Sequence, residues 1–344
     1  MPGAKNRTDP KTLRVGVIGA GGQLGRCLTR ALDASPVHVL AFATARSELD
    51  LSRPDELEHG LASLLGSDAA EGLDVVVNAA AYTKVDACES ERELAYQVNA
   101  LAPGHIAQQL AARDLGFVHV STDYVFAGDG QRPYREDDPT DPKTVYGASK
   151  RAGEMAVLGH HPGALVVRTS WVFGPGRNFV AAILDQGRKR RTGEQSGPLR
   201  VVSDQRGAPT YAADLAEGLL SLFQGTSGNT GIDRVTGLLH LRNGGETTWF
   251  EFARAILDFA GFDDLAIEPV TTDAFPTPAA RPAYSVLDVS RAASLGVELP
   301  PWTQALSRYL AGPDRPEGWD PIGVAAAAGG SERPDSPETT EVPR

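Results

Sequence analysis

Short runs rich in β-branched residues alternate along this chain with segments that have helical spacing. The runs cover residues 13–19, 37–43, 73–80, 116–122, 164–170 and 199–204, of which 37–43 is the weakest. Helical spacing marks "QLGRCLTRALD", "PDELEHGLASLL" and "NALAPGHIAQQLAARD" between them. Near-continuous apolar strands are expected where helices cover both faces of a sheet. The alternation therefore predicts an α/β fold with a doubly wound, parallel, Rossmann-type sheet.

The glycine-rich stretch "GAGGQLG" follows the first run directly and places Gly19, Gly22 and Gly25 at GxxGxxG spacing. In a strand–turn–helix unit, the first glycine permits the tight turn and the second lets a pyrophosphate approach the backbone. The third allows the helix and the strand to pack closely. Because the anion then lies at a helix N-terminus, we predict a dinucleotide site here in preference to a purely structural turn.

The end of the second run bears on which nicotinamide is bound. An acidic residue there would bind the ribose of NAD, but the chain has Ala43 and Thr44 at these positions and Arg46 close behind. Because an arginine can meet a ribose phosphate, the pattern favours NADPH, with NADH as the alternative. Asp50 is placed to approach the adenine edge. Arg46 could equally be a surface residue, and Asp50 an ordinary loop acid.

The stretch "TVYGASK" sets Tyr146 and Lys150 one helical turn apart, so both side chains leave the same face of a predicted helix. Ser121 and Thr122 supply hydroxyls at the end of a predicted strand. Reduction of a carbonyl by hydride leaves an alkoxide that must be protonated, and a nearby ammonium lowers the pKa of a phenol, which is about 10. The alternative is an ordinary surface Tyr–Lys pair. Asn99, at the start of "NALAPGHIAQQL", would support the lysine or act as a plain N-cap.

Composition excludes several classes of protein. The formal net charge of −11 disfavours a nucleic-acid surface, which needs a basic field. Cys27 and Cys88 are the only cysteines, and they lack the spacing of a metal or redox motif, as suits a reducing cytosol. No apolar run approaches the ~20 residues that span a bilayer. We expect a cytoplasmic monomer or homodimer that binds neither nucleic acid nor a membrane.

The ends of the chain differ in composition from its body. Residues 1–12 are polar, and residues 312–344 are rich in Pro, Gly, Ser and acids, with Trp319 as a candidate anchor. Such segments bury too little apolar surface to fold, so we expect a flexible N-terminal tail and a disordered C-terminal one. Residues 13–170 are expected to form the dinucleotide-binding domain, to which residues around 199–225 return. Residues 171–311 would be mainly a smaller, interleaved C-terminal substrate lobe.

Several longer motifs occur together in the order "NAAAYTKVDACES", "VSTDYVFAG", "YGASKRAGE", "VVRTSWVFGPGRNFV", "VVSDQRGAPTYAADLA" and "ARPAYSVLD". With the glycine turn, they make the chain similar to the extended short-chain dehydrogenase/reductases. Within that branch, residues 13–311 closely resemble the dTDP-4-dehydrorhamnose reductase family. A general nucleotide-sugar epimerase would share the glycines and the Tyr-x-x-x-Lys pair, but not "STDYVF", "RTSWVFG" and "DQRGAPT" together.

The resemblance implies an NADPH-dependent reductase (NADH possible) that acts on the C4 ketone of dTDP-4-dehydro-L-rhamnose, a dTDP-linked sugar. The implied catalytic residues are Thr122, Tyr146 as proton donor, and Lys150. The implied cofactor-binding residues are Gly19, Gly22, Gln23, Leu24, Gly25, Arg46, Asp50, Leu51, Ala79, Ala80, Tyr82, Asn99, Tyr146 and Lys150. The implied substrate-binding residues are Thr83, Val85, Asp123, Tyr124, Trp171, Asn178 and Arg281.

Some of these assignments have alternatives. Trp171 would stack on the apolar face of a deoxysugar or belong to the core, and Arg281 would clamp the diphosphate or form a structural ion pair. Two positions depart from the family pattern. Ile18 replaces a threonine before the first glycine, and Cys27 stands where some members have a metal-binding glutamate at a dimer interface. We therefore expect no metal.

Two other functions stay open. The first is reduction of another dTDP-4-keto-6-deoxyhexose by the same chemistry. The second is a non-catalytic, nucleotide-binding regulatory subunit that resembles these reductases. Such a subunit would be expected to lose part of the hydroxyl–Tyr–Lys set, whereas Thr122, Tyr146 and Lys150 are all present here.

Overall fold

The structure, a computed structural model, describes residues 12–224, 235–316 and 319. The strands within these residues are β1 Leu13–Ile18, β2 His38–Thr44, β3 Val75–Asn78, β4 Gly116–Thr122, β5 Leu165–Thr169, β6 Val172–Phe173, β7 Leu199–Val202, β8 Arg206–Gly207, β9 Thr210–Tyr211, β10 Gly237–His240, β11 Asn243–Gly244, β12 Thr247–Thr248, β13 Ile267–Val270 and β14 Leu299–Pro301. The helices are α1 Gln23–Asp33, α2 Pro54–Leu65, α3 Val85–Ser90, α4 Arg92–Tyr96, α5 Ala102–Ala111, α6 Val145–His160, α7 Phe179–Arg191, α8 Ala212–Gln224, α9 Trp249–Phe259, α10 Ser290–Ser294 and α11 Trp302–Ala311.

Six strands form the central sheet in the order β2-β1-β3-β4-β5-β10, and every pairing in it is parallel. The predicted α/β fold with a doubly wound parallel sheet is confirmed. The order of the strands reverses between β1 and β3. In folds of this kind, the crevice outside the carboxyl ends at such a reversal is the usual ligand site.

The prediction that residues 199–204 contribute to this sheet is wrong. They form β7, which pairs with β13 in a separate two-stranded parallel sheet. The sixth strand of the central sheet is β10, which pairs with β5 at the edge. A run of β-branched residues specifies a strand but not its partner, and the partner of β7 lies far along the chain.

Helices cover both faces of the central sheet. On one face, α1 and α8 pack against the strands through residues such as Leu28 and Leu219. On the other face, α2, α5 and α6 pack through residues such as Leu61, Ile106 and Val157. This two-sided burial explains why β3 and β5 are buried along their whole length and why their first three residues, 75–77 and 165–167, are all apolar.

A second core lies in the C-terminal part of the chain, between α7, α9 and α11. It is rich in aromatic side chains, and Phe173 packs in it against Tyr211, Phe252 and Tyr309 at centroid distances of 5.3–5.7 Å. Polar N-caps start two of its helices, α7 and α9. Asn178 accepts from the Ala181 N–H at the start of α7, and α9 begins with a capping box between Thr248 and Glu251.

The C-terminal segment is structured further than its composition indicated. Asp314 is 3% exposed and forms a bidentate ion pair with Arg30 of α1 at 2.6 Å. The Tyr211 hydroxyl also donates to it, at 2.6 Å. Trp319 contacts Phe262 with ring centroids 5.6 Å apart. The expected disorder therefore does not begin at residue 312, and the predictions for residues 1–11, 317–318 and 320–344 fall outside the described residues.

Over the described part of the chain, no helix has both the length and the apolar character needed to cross a bilayer. The same residues contain no group of three or more His, Cys, Asp or Glu side chains arranged to hold a metal ion.

Candidate active site

A cavity of about 890 Å³ opens at the carboxyl ends of the central strands, between the sheet and the C-terminal lobe. Its wall includes the glycine turn after β1, the loops after β2 and β3, the end of β4, the start of α6 and residues from α9. The residues of the sequence prediction that line it are Gly19, Gly22, Gln23, Leu24, Arg46, Asp50, Leu51, Ala79, Ala80, Tyr82, Thr83, Val85, Thr122, Asp123, Tyr124, Tyr146, Lys150 and Trp171.

The glycine turn fits a dinucleotide. Gly19 has a φ of +85°, and a Cβ there would lie 2.6 Å from the Ala80 nitrogen. A Cβ on Gly25 would lie 2.1 Å from the Gly19 carbonyl oxygen, so this glycine lets α1 pack on the turn without lining the cavity itself. Gly22 is the N-cap of α1, and a Cβ there would have no neighbour nearer than 3.4 Å. The turn therefore leaves the helix N-terminus open to an anion.

The phenol and the amine of "TVYGASK" are placed by the first turn of α6. The Thr144 side chain caps this helix by accepting from the Gly147 N–H at 3.0 Å. A Cβ on Gly147 would lie 2.1 Å from the Tyr124 carbonyl oxygen, so the helix start is pressed against the segment that follows β4. This packing brings Tyr146 and Lys150 to the same cavity as Thr122.

The electrostatics of Tyr146 differ from the sequence expectation. Burial raises the pKa of the Tyr146 phenol above its ordinary value, and the interaction with the Thr122 hydroxyl only partly lowers it. The Lys150 amine instead donates to the Val120 carbonyl at 2.6 Å and lies 3.3 Å from His119 Nε2. The phenol is therefore protonated at neutral pH in this arrangement, and the amine is directed toward β4.

Lys150 is 1% exposed, and burial lowers its pKa to about 8, although the nearby Glu154 charge acts in the opposite direction. Asn99 does not contact its amine, and it is not an N-cap. It lies in a π-helical segment, Gln97–Leu101, that joins α4 to α5. Its amide bonds the backbone N–H and C=O of Tyr82 and donates to Ser149 Oγ at 3.1 Å. Asn99 thus links the cavity wall at Tyr82 to the first turn of α6.

Two aromatic residues and a carboxyl form a further side of the cavity. Trp171 has a φ of +45°, which is rare for a residue with a side chain, and its indole stacks on Trp249 with centroids 3.6 Å apart. Asp123 is fully buried beside Thr122, whose hydroxyl donates to it at 2.9 Å. Burial raises the pKa of Asp123 to about 6. This side of the cavity is therefore apolar, with one weakly acidic carboxyl.

Comparisons with known proteins place this arrangement in a family. Residues 13–313 match the family model described as the RmlD substrate binding domain. A dTDP-4-dehydrorhamnose reductase of Mycolicibacterium smegmatis is 40% identical over 309 residues, which cover 89% of this chain and 87% of the relative. The chain belongs to the dTDP-4-dehydrorhamnose reductase family. The resemblance seen in the sequence is confirmed, and so is the expected class of enzyme, an oxidoreductase.

Two further relatives show the range of the dTDP-4-dehydrorhamnose reductase family. A solved dTDP-4-dehydrorhamnose reductase of Bacillus anthracis, in complex with NADP, superposes with a TM-score of 0.75 at 33% identity and covers 87% of this chain and 99% of its own. A protein of Streptomyces antibioticus, named a probable dTDP-4,6-dihydroxy-2-methyloxan-3-one 4-ketoreductase, is 40% identical over 84% of this chain and 92% of its own length.

Two residues that the resemblance assigned to the sugar nucleotide do not line the large cavity of this family member. Asn178 caps α7, and its amide donates to the Gly174 and Gly176 carbonyls and to the Tyr309 hydroxyl. Arg281 pairs with Asp86 at 2.7 Å, as the structural alternative had it, and lines a smaller neighbouring cavity of about 210 Å³. A direct contact of either side chain with a ligand in the large cavity would require these bonds to rearrange.

The residues after β2 that line the cavity lie slightly further along the chain than the sequence predicted. Thr44 ends the strand, and the lining residues are Ala45, Arg46 and Ser47. The Arg46 side chain is 74% exposed and pairs with Asp50 at 3.2 Å, while Asp50 also accepts from Ser52. A guanidinium this exposed is free to turn toward a ribose phosphate. Such a contact agrees with the predicted preference for NADPH over NADH.

Sequence reasoning missed the aromatic wall formed by Phe179, Trp249 and Phe252, as well as Ser170. A signal was present in "TTWFEFARAILDFAG", where Trp249 opens an amphipathic helix directly after the capping Thr248. Trp249 lines the cavity from the start of this helix, and Phe252 lines it from one turn further along.

Proposed function

We propose that this chain reduces the C4 ketone of dTDP-4-dehydro-L-rhamnose to dTDP-L-rhamnose with NADPH. The observation that carries the proposal is that the hydroxyl of Thr122, the phenol of Tyr146 and the amine of Lys150 share one cavity with an open glycine turn. The names of the curated relatives, and the NADP in the B. anthracis structure, support the choice of substrate and cofactor.

In this proposal, NADPH held at the glycine turn supplies a hydride to the sugar. The small residues Ala79 and Ala80 leave room for it along the end of β3, and Arg46 meets its ribose phosphate. The Thr122 hydroxyl, which donates to Asp123 in the free site, turns to donate to the carbonyl oxygen of the sugar and holds the ketone in place. As negative charge develops on that oxygen, Tyr146 donates the phenolic proton to it.

The state of each group in the free site supports these roles. Because burial raises the pKa of Tyr146, the phenol holds its proton until a strongly basic alkoxide oxygen forms beside it. The positive charge that Lys150 carries near neutral pH then stabilises the phenolate that remains. Asn99 keeps the first turn of α6 in register with the cavity wall, as a positioning residue.

The test is turnover with purified dTDP-4-dehydro-L-rhamnose and each reduced nicotinamide in turn, followed by loss of the nicotinamide absorbance. We expect consumption of NADPH in preference to NADH and a single sugar product, identified as dTDP-L-rhamnose by NMR. No consumption of either nicotinamide, with the cofactor shown to bind, would contradict the proposal and favour a regulatory role.

A second candidate substrate is another dTDP-4-keto-6-deoxyhexose. The S. antibioticus relative, named a probable 4-ketoreductase for a different sugar, is as similar to this chain as the M. smegmatis reductase is. The chemistry at Tyr146 would be unchanged, and the two functions differ only in the sugar. The ratio of kcat/KM for the two sugar nucleotides, together with the stereochemistry of each product, distinguishes them.

We expect Trp171 to contact the apolar face of the bound sugar, and Gly207 to keep its ring in place. A Cβ at Gly207 would lie 2.3 Å from Trp171 Cε2, so Gly207→Ala must displace the indole. The expected result is a rise of about tenfold in the KM of the sugar nucleotide, corresponding to one lost contact of about 1.4 kcal/mol, with unchanged NADPH affinity.

The matched control for this measurement is Gly159→Ala on α6, where an added Cβ meets nothing within 4 Å. Steady-state kinetics give KM, and a fluorescence titration gives the NADPH affinity. A sugar-nucleotide KM that is the same in Gly207→Ala and Gly159→Ala would remove Trp171 from the sugar site.

A further inference from the structure

A buried chain of hydrogen bonds runs from the cofactor side of the cavity to Lys150. The Ala80 N–H, beside the glycine turn, donates to Asn78 Oδ1 at 3.0 Å. Asn78 Nδ2 lies 3.2 Å from His119 Nδ1, and His119 Nε2 lies 3.3 Å from Lys150 Nζ. Asn78 and His119 are both fully buried and face each other across β3 and β4. The four groups therefore form one continuous relay, whose two middle side chains, Asn78 and His119, are closed off from the cavity.

The backbone N–H of Ala80 determines which atom donates and which accepts in each hydrogen bond of this relay. A backbone N–H can only donate, so the oxygen of the Asn78 amide faces Ala80 and its NH₂ faces His119. His119 Nδ1 must then accept. Burial, and secondarily the Lys150 charge, hold the pKa of His119 well below its ordinary value, so the ring is neutral. A neutral imidazole that accepts at Nδ1 carries its proton on Nε2, which is the atom that faces Lys150.

This tautomer acts against a charged lysine. An ammonium has three donors and no acceptor, whereas a neutral amine can accept from the Nε2–H. The Lys150 nitrogen also donates to the Val120 carbonyl. Both the ammonium and the neutral amine can make this bond, because each has an N–H to direct at the carbonyl. Asn78 thus determines, through His119, which form of Lys150 the buried site favours.

Other charged groups around Lys150 act differently. Glu154, one turn further along α6, favours the ammonium, but its carboxylate is shared with Arg168 of β5 and with Arg151. Tyr146 lies on the same helix as a protonated phenol, and Asp123 lies beyond Thr122 at the end of β4. None of these groups is a neutral donor fixed toward Nζ, which is the particular property of His119.

We propose that Asn78 and His119 are positioning residues that fix the hydrogen-bonding atom presented to Lys150, and that they thereby set the protonation state of its amine for the reaction. Lys150 is held near the point at which it gives up its proton. Once its amine turns from the Val120 carbonyl to the Tyr146 phenolate, it can return a proton to that phenolate after the sugar oxygen has taken one. The Lys150 N–H bond breaks, the Tyr146 O–H bond forms, and the amine is left neutral opposite the Nε2–H.

This inference rests on the proposed function for the role of Lys150, but the experiment needs no turnover. The chain contains six lysines, so the protein labelled with isotope-enriched lysine gives few signals in an NMR titration. The Lys150 signal is assigned by its loss in Lys150→Met. In the unaltered protein we expect Lys150 to titrate near the low pKa of about 8, well below the exposed lysines.

Two variants reverse the relay in different ways. In Asn78→Asp, one carboxylate oxygen still accepts from Ala80 while the other accepts from His119 Nδ1–H, so Nε2 becomes an acceptor for the ammonium. In His119→Gln, the side-chain amide can turn its oxygen to Lys150 without adding a charge. We expect Lys150 to titrate at least about one pH unit higher in each variant, and the alkaline limb of the kcat profile to move with it.

His38→Gln is the matched control, because His38 is also a buried histidine, but it lies on β2 against Phe223. It should leave the Lys150 titration where it is. If Asn78→Asp does not fold, as judged by circular dichroism, His119→Gln decides alone. A Lys150 signal that titrates at the same pH in the unaltered protein and in every folded relay variant overturns the proposal. A shifted titration without reductase activity would preserve the relay and contradict the proposed function instead.

Discussion

Replacement of Tyr146 by phenylalanine is expected to lower kcat by about 10²- to 10⁴-fold, the range that a positioned general acid contributes. The change removes one oxygen and keeps the ring, which packs edge-to-face on Tyr124 with centroids 5.5 Å apart. The Lys150 amine is bonded to Val120 and not to this phenol, so its position should persist. We therefore expect NADPH to bind with nearly unchanged affinity.

Steady-state turnover and an equilibrium fluorescence titration with NADPH separate these two effects. Tyr134→Phe is the matched control. This tyrosine stacks on Phe126 and its hydroxyl accepts from Asp129, outside the large cavity. The control should retain full turnover. If Tyr146→Phe keeps turnover within about tenfold of the unaltered enzyme, the phenol is not the proton donor.

The largest effect on stability is expected for Arg168→Met. Arg168 of β5 and Glu154 of α6 form a bidentate ion pair with both bonds at 2.8 Å, and their side chains are 1% and 0% exposed. Ser121, next to Thr122, also donates to Glu154, at 2.7 Å. Removing the guanidinium leaves a carboxylate buried without its main partner. Breaking such a pair costs about 3–5 kcal/mol of unfolding free energy.

Urea unfolding monitored by circular dichroism measures the change, which should appear as a lower midpoint. Arg188→Met is the control, because Arg188 pairs with Asp185 and Glu194 on an exposed surface. Its midpoint should not move detectably. Adding Glu154→Gln to Arg168→Met should restore part of the loss, since the charge that was left unpaired is then gone. If Arg168→Met alone has the same urea midpoint as Arg188→Met, the buried Glu154 carboxylate does not need Arg168 as its partner.

The parts of the fold and site that could be read from the sequence are local ones. The turn of Gly19, Gly22 and Gly25 lies in seven consecutive residues, and Tyr146 and Lys150 lie within one helical turn, so spacing alone gives their geometry. The carboxyl ends of parallel strands meet at one edge, which brings Thr122 to the same place. These features depend on backbone geometry that any doubly wound sheet shares.

The parts that could not be read depend on contacts between distant residues. The partner of β7 is β13, and nothing in either stretch identifies the other. The bonds that hold Asn178 and Arg281 reach Tyr309 and Asp86 respectively. The raised pKa of Tyr146 depends on how deeply the packing encloses it, and the direction of the Lys150 amine depends on His119 of another strand. Composition likewise predicted disorder from residue 312 onward, because it could not show that Asp314 is buried against Arg30 and Tyr211.

That contact joins the segment after α11 to α1, the helix that follows the glycine turn. Asp314 Oδ2 lies 3.8 Å from the Cys27 sulfur, and burial raises the pKa of this thiol to about 12, so it stays protonated and inert. A chain shortened to end at Ala311 would lose the carboxylate and leave Arg30 without its partner. Alkylation of Cys27 would then report whether Asp314 is in place, and deletions that remove Asp314 would change the contacts of α1.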